Sequence, residues 1–200
     1  MAATLTILVP AAGASSRMRG RDKLMERVGS ETALSRTVRL ARSIAPHVVV
    51  TIPDGGPFAA PRAAVLRGTG AEVIPIPDYH DGMSASIRAG AQAAAMSEGL
   101  MILLPDMPEI TGEDIARVVG AFARDPSHAA RGTGADGTPG HPVILPRRLF
   151  ADLTVLTGDH GARKLLEGRP VQLVPLPDRH ALTDLDTPED WDNWQAPPPG

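Results

Sequence analysis

Apolar residues fall into short runs of strand length separated by longer stretches with helical spacing. Thr4 to Val9 and His47 to Ile52 are continuous enough to be strands buried on both faces, and Glu31 to Ile44 between them has helical periodicity. Pro57 to Leu66 predicts a weaker helix, and Glu72 to Ile76 a short strand. A helix follows over Ser84 to Met96, with Ile87, Ala91 and Ala94 on one face, and then a buried strand over Leu100 to Leu104. The pattern continues with a helix from Gly112 to Ala123, a strand from Val143 to Leu145, a helix from Gly161 to Leu166, a strand from Val171 to Pro175 and a last helix starting at Pro188. Strands that alternate with helices call for crossover connections. The expected class is therefore α/β, a three-layer α/β/α arrangement around a mainly parallel sheet.

The chain has 200 residues, 42% of them hydrophobic, which suits one domain able to bury roughly 70% of its unfolded surface. Residues 1–195 are expected to form that domain, and 196–200, with three prolines, a mobile tail. Twenty basic side chains against 23 acidic ones give a net charge of −3, which excludes the electrostatic footprint of a nucleic-acid binder. No apolar run approaches the ~18 to 20 residues of a membrane helix, and the N-terminus lacks the basic region of a secretion signal, so a cytoplasmic setting is expected. The absence of cysteine removes disulfides, thiolate nucleophiles and cysteine-ligated metals, leaving oxygen ligands and hard cations. Of the 20 cationic side chains only Lys23 and Lys164 are lysine, so each lysine attracts attention.

Glycine and proline, 20 of each, punctuate the strand-to-helix loops, where open α/β sheets bind their ligands. Directly after the first strand come Ala11, Ala12, Gly13, Ala14 and Ser15, then Arg17 and, after more basic residues, Lys23. Small side chains let backbone N–H groups approach an anion, and Arg17 and Lys23 can neutralise phosphate oxygens. The spacing fits neither a Walker A loop nor a dinucleotide fingerprint, and an ordinary tight turn with a solvated basic loop remains the plain alternative. Asp106 sits between Pro105 and Pro108 just past a buried strand, a fixed carboxylate suited to Mg²⁺; the commoner fate of such an aspartate is to satisfy a turn.

Near the C-terminus Thr187 and Pro188 read as N-cap and first helical residue, with Glu189 and Asp190 complementing the helix dipole. Asp186 precedes that cap, either as a second metal ligand or as the end of a strand. Gly82, Met83 and Ser84 open a helix, with Ser84 as the expected N-cap. Asp159 and Arg163, four apart, could be no more than a helical ion pair, and His47, His80, His128 and His180 show no metal spacing.

Six segments in order resemble the MobA-like nucleotidyltransferases, most closely the molybdenum cofactor cytidylyltransferases of the MocA type. They are residues 11–18 with Lys23, 82–86, 104–108, 139–142, 158–163 and 184–191. The resemblance implies a Rossmann-like fold and transfer of CMP from CTP to the phosphate of molybdenum-molybdopterin, with Mg²⁺ and release of pyrophosphate. It implies that the Gly13 turn, Arg17 and Lys23 grip the triphosphate, that Asp106 and Asp186 ligate Mg²⁺, and that Gly82, Met83 and Ser84 face base and ribose. His141, Asp159 and Arg163 would lie toward the acceptor, and a xanthine dehydrogenase-type molybdoenzyme would be the recipient of the product. Ala-Ala-Gly at 11–13 is similar to the cytidylyltransferase branch, whereas Arg19-Gly20 departs from the family's Met-Gly junction by one inserted residue. A guanylyltransferase, a transferase with another phosphorylated acceptor, and a non-catalytic carrier of the finished cofactor are the competing readings.

Overall fold

The computed structural model describes residues 4–77, 82–158 and 163–194. Strand β1 (Leu5–Pro10) is an interior strand, third from one edge, of a seven-stranded sheet. A two-stranded hairpin of β2 (Arg27–Val28) and β3 (Glu31–Thr32) precedes helix α1 (Ala33–Ile44). Then come β4 (His47–Pro53), α2 (Ala59–Leu66), β5 (Glu72–Ile76), α3 (Met83–Ala93), β6 (Gly99–Ile102) and α4 (Gly112–Arg124). The remainder is β7 (Ala129–Thr133), β8 (Pro139–Pro146), α5 (Phe150–Thr154), α6 (Arg163–Leu166), β9 (Val171–Pro175) and α7 (Pro188–Asn193).

The sheet order is β5-β4-β1-β6-β8-β7-β9. Every pairing is parallel except the two made by β8, which runs antiparallel to β6 and β7. Alternating side chains feed two cores. Ile7, Val9, Val48, Val50 and Met101 pack with α1, α2 and α4 on one face, while Leu8, Val49, Leu100 and Ile102 pack with α3 and α5 on the other. The expected α/β/α layering is what forms.

From β1 the chain crosses to β4 on one side, whereas β6 lies on the other. The parallel pair β1 and β6, with Leu8 opposite Ile102, therefore releases its two following loops side by side at the C-terminal ends of the two strands. That is the switch point at which doubly wound sheets bind ligands. Residue 13 in the first loop and residue 106 in the second are neighbours for this reason.

Several expectations are corrected. The α1 pattern begins at Ala33, because Glu31 and Thr32 pair with β2 and Thr32 then caps the helix, its hydroxyl accepting from Ser35 N–H at 3.2 Å. The strand expected over 143–145 spans Pro139–Pro146, and β7 and α5 were not anticipated. Ser84 is not an N-cap. Gly82 holds that position with φ 69°, and Ser84 lies buried inside α3. Thr187 does cap α7, in a reciprocal box with Asp190. His80, Asp159 and the 196–200 tail lie outside the described residues, as does the start of the helix expected from Gly161.

Candidate active site

The loop after β1 runs from Ala11 to Lys23 through two short turns. Ser15 and Arg19 both adopt left-handed backbone conformations, φ 48° and 53°. Asp22 accepts from Leu24 N–H at 3.0 Å and so caps the turn that carries Lys23.

Lys23 is the centre of the site. Its Nζ donates to Oδ2 of Asp106 at 2.5 Å and to Oδ1 of Asp186 at 2.8 Å, and all three side chains are largely buried. Burial alone works against the ammonium, but Asp106 and Asp186 hold its pKa above the usual lysine range. Arg17 reaches the other oxygen of Asp186 at 2.8 Å with a mostly exposed side chain, so this pair contributes little stability. Asp184 stands nearby, its pKa raised by burial and by the charges of Asp186 and Asp106.

Asp186 reaches the site although it is 80 residues from Asp106, because Leu185 N–H donates to the Asp106 carbonyl at 3.0 Å. Leu185 also packs with Met18, Ala33 and Trp191, and the Trp191 indole donates to its carbonyl at 3.1 Å. The capping of α7 accounts for Thr187, Pro188 and Asp190 and leaves both Asp186 carboxylate oxygens to Lys23 and Arg17.

Three clefts meet at Gly13. One, of about 130 Å³, lies between Pro10, Gly13, Lys23, Leu24, Gly82, Met83, Ser86, Leu104, Pro105 and Asp106. A wider one, about 320 Å³, is lined by residues 13–17 with Lys23 and Asp186. The third, about 170 Å³, is lined by Ala12, Gly13, Ala14, Pro53, Gly55, Pro57 and Phe58. A Cβ at Gly13 would meet nothing within 4 Å, so glycine leaves open space where the clefts join.

The structure thus brings Ala12, Gly13, Ala14, Ser15, Arg17, Lys23, Asp106 and Asp186 around one space, with Gly82 and Met83 at its edge. Ala11 is buried beneath it. Ser84 is buried, and Ser86, two residues on, takes the cleft-lining place. His141, on β8, lines none of these three clefts but lies close enough to feel the Asp106 charge. Its Nδ1 is sealed without a hydrogen-bond partner, and burial, with the nearby Arg131 charge, lowers its pKa to about 4 against the opposing pull of Asp106. Asp159 and the Arg163 side chain fall outside what the structure describes.

Two residues that sequence reasoning missed support the loop. Arg62, wholly buried, pairs with the buried Asp22 at 2.7 Å. The signal was a single charged residue within an otherwise apolar helix, Ala59–Leu66.

The donor set fits a hard divalent cation. Two carboxylates share one cation already, Oδ1 of Asp106 is buried with no hydrogen-bond partner, and magnesium usually takes one or two protein carboxylates. Among the described residues no group of three or more histidine or acidic side chains is arranged around a metal position. Water and phosphate oxygens would complete the shell.

The profile of a family described as the MobA-like NTP transferase domain matches residues 7–176. A solved structure from Mycobacterium sp. strain JC1, the homologue of Mycobacterium tuberculosis Rv0371c, is 29% identical with a TM-score of 0.80, covering 94% of this chain and 93% of that one. Rv0371c from M. tuberculosis H37Rv in complex with manganese is 28% identical with a TM-score of 0.72, covering 94% and 96%. A curated relative, nicotine blue oxidoreductase of Paenarthrobacter nicotinovorans, is 28% identical over 119 residues, 56% of this chain and 58% of that protein. The matched segment therefore spans less than two thirds of that relative.

Proposed function

The chain belongs to the MobA-like NTP transferase family, and from that premise we propose that it transfers CMP from CTP to the terminal phosphate of molybdenum-molybdopterin, releasing pyrophosphate. The observation that carries the reading is the Lys23, Asp106 and Asp186 cluster facing the Gly13 turn at the switch point of the sheet. The choice of cytidine and of the molybdopterin acceptor rests on the resemblance of the six segments.

An acceptor phosphate oxygen attacks the α-phosphorus in line, the bond from that phosphorus to the bridging oxygen breaks, and pyrophosphate leaves with the electron pair. The attacking group is already an anion, so the protein need supply no nucleophile. Its work is alignment and charge stabilisation. Backbone N–H groups of the Gly13 turn and the cationic groups of Arg17 and Lys23 hold the phosphates, and Lys23 faces the charge that grows on the leaving pyrophosphate. Asp106 and Asp186 would hold Mg²⁺, and that the mycobacterial relative was solved in complex with manganese is in keeping with a divalent ion. When bound, the ion supplies further neutralisation of phosphate charge. His141 lies toward the acceptor, and Gly82, Met83 and Ser86 toward base and ribose.

A second reading, an oxidoreductase, rests on the name of the curated relative, nicotine blue oxidoreductase. Purified protein, Mg²⁺ and molybdopterin acceptor incubated with each of the four NTPs separates these readings. Pyrophosphate is expected with CTP and falls by orders of magnitude in Asp106→Ala. Pyrophosphate with GTP alone would replace cytidylyl by guanylyl transfer. No pyrophosphate with any NTP, together with reduction of nicotine blue by an added electron donor, would establish the oxidoreductase, and cofactor delivery left intact by Asp106→Ala would establish a carrier.

A further inference from the structure

We propose that Arg62 is a positioning residue that shapes the nucleotide grip from behind, an inference that rests on the nucleotidyl-transfer reading. Its guanidinium is fully buried on α2, stacked over the Phe58 ring at 5.1 Å, and each of its five N–H groups has a partner. Nε and Nη2 donate to the two oxygens of Asp22 at 2.9 and 2.7 Å. Nη1 donates to the carbonyls of Ala11 and Gly13, both at 2.7 Å, and Nη2 also reaches Ser15 Oγ at 3.2 Å.

The two carbonyl contacts set the loop's polarity. A trans peptide directs its C=O and the next residue's N–H to opposite sides. With the Ala11 and Gly13 carbonyls turned to Arg62, the N–H groups of Ala12 and Ala14 face the opposite way, where residues 12–14 line the clefts. Neither N–H has a protein acceptor among the described residues. The loop is thereby prepared for anionic oxygens. Ser15, in its left-handed conformation, is held by the same guanidinium.

The second half of the grip follows from Asp22. The carboxylate that neutralises Arg62 also caps the turn bearing Lys23, so one side chain fixes both the N–H donors and the ammonium. Lysine could not replace it, since it has three donors and no planar fork.

The test compares wild type with Arg62→Lys and with the double variant Arg62→Met, Asp22→Leu, which removes both charges together so that neither is left buried and unpaired. Each is measured for unfolding temperature, for binding of inorganic tripolyphosphate, and for kcat and KM with CTP. In folded variants tripolyphosphate affinity is expected to fall about tenfold or more and KM for CTP to rise in parallel, the loss of well-placed bonds to charged oxygens. A merely structural role would lower kcat through the folded fraction and leave KM unchanged. In wild type, tripolyphosphate is expected to shift the amide resonances of Ala12 and Ala14, a measurement that needs no variant. Wild type that binds tripolyphosphate without moving those amides, or folded variants that bind it as tightly as wild type, would overturn the role of Arg62 alone. Wild type that binds neither tripolyphosphate nor any NTP would overturn the nucleotidyl-transfer reading and this inference with it.

Discussion

Gly13 shows what a single missing side chain contributes. It needs no unusual backbone angle, and a methyl group there would contact nothing, so Gly13→Ala should change stability by no more than about 0.5 kcal/mol. The same methyl would stand where three clefts meet and obstruct close approach to the backbone N–H groups. Calorimetric titration with CTP and Mg²⁺ is expected to show a loss of at least tenfold in affinity, about 1.4 kcal/mol, at an unchanged unfolding temperature. Gly140 is small for the opposite reason, because a Cβ would collide with the Ala181 carbonyl that accepts the His141 N–H. Both glycines are plain in the sequence. Their different roles are not, since one faces open space and the other a distant backbone.

At the scale of elements, the C-terminal helix is what delivers Asp186. Thr187, Pro188 and Asp190 were legible as a helix start because capping is local chemistry, and the structure has that start. What holds α7 in place is not local. Trp191 is buried with Met18, Ala33 and Leu185, and meets Trp194 edge to face at 6.3 Å. Trp191→Ala should cost about 3 to 5 kcal/mol and lower Tm by roughly 10 °C, while Trp191→Phe, which keeps most of the packing, should cost far less. Equal Tm values for the two variants in thermal denaturation would contradict this account. The strands on the β5, β4, β1 and β6 side were legible as continuous apolar runs. β7, read as Ala-Ala-Arg-Gly-Thr, has little strand propensity, and β8 contains three prolines and a glycine. Tertiary pairing makes them strands, with a register shift between Arg131 and Thr133.

At the scale of the whole molecule, folding carries groups that a solvated chain would ionise differently. His141 has its pKa lowered to about 4, mainly by burial, whereas the unfolded chain titrates near the ordinary histidine value. Between those values the unfolded state binds a proton that the folded state refuses. The associated stability is complete above about pH 6.5 and is lost as pH falls toward 4, by at most about 3 kcal/mol. Urea unfolding across that range should show a shallower pH dependence in His141→Gln than in wild type. The architecture and most of the site were legible because alternating elements and short motifs are contiguous in sequence. The Arg62 and Asp22 pair was not, because its meaning depends on α2 lying behind a loop 40 residues earlier.

The ammonium of Lys23 gives the resting protein its own internal counter-ion. The two carboxylates are thereby balanced without any bound ion. If the proposed triphosphate drew that ammonium toward its own oxygens, the acidic pair would be left to a divalent ion. On that reading a Mg²⁺ titration should show tighter binding with CTP present than without it, and equal affinities would contradict it.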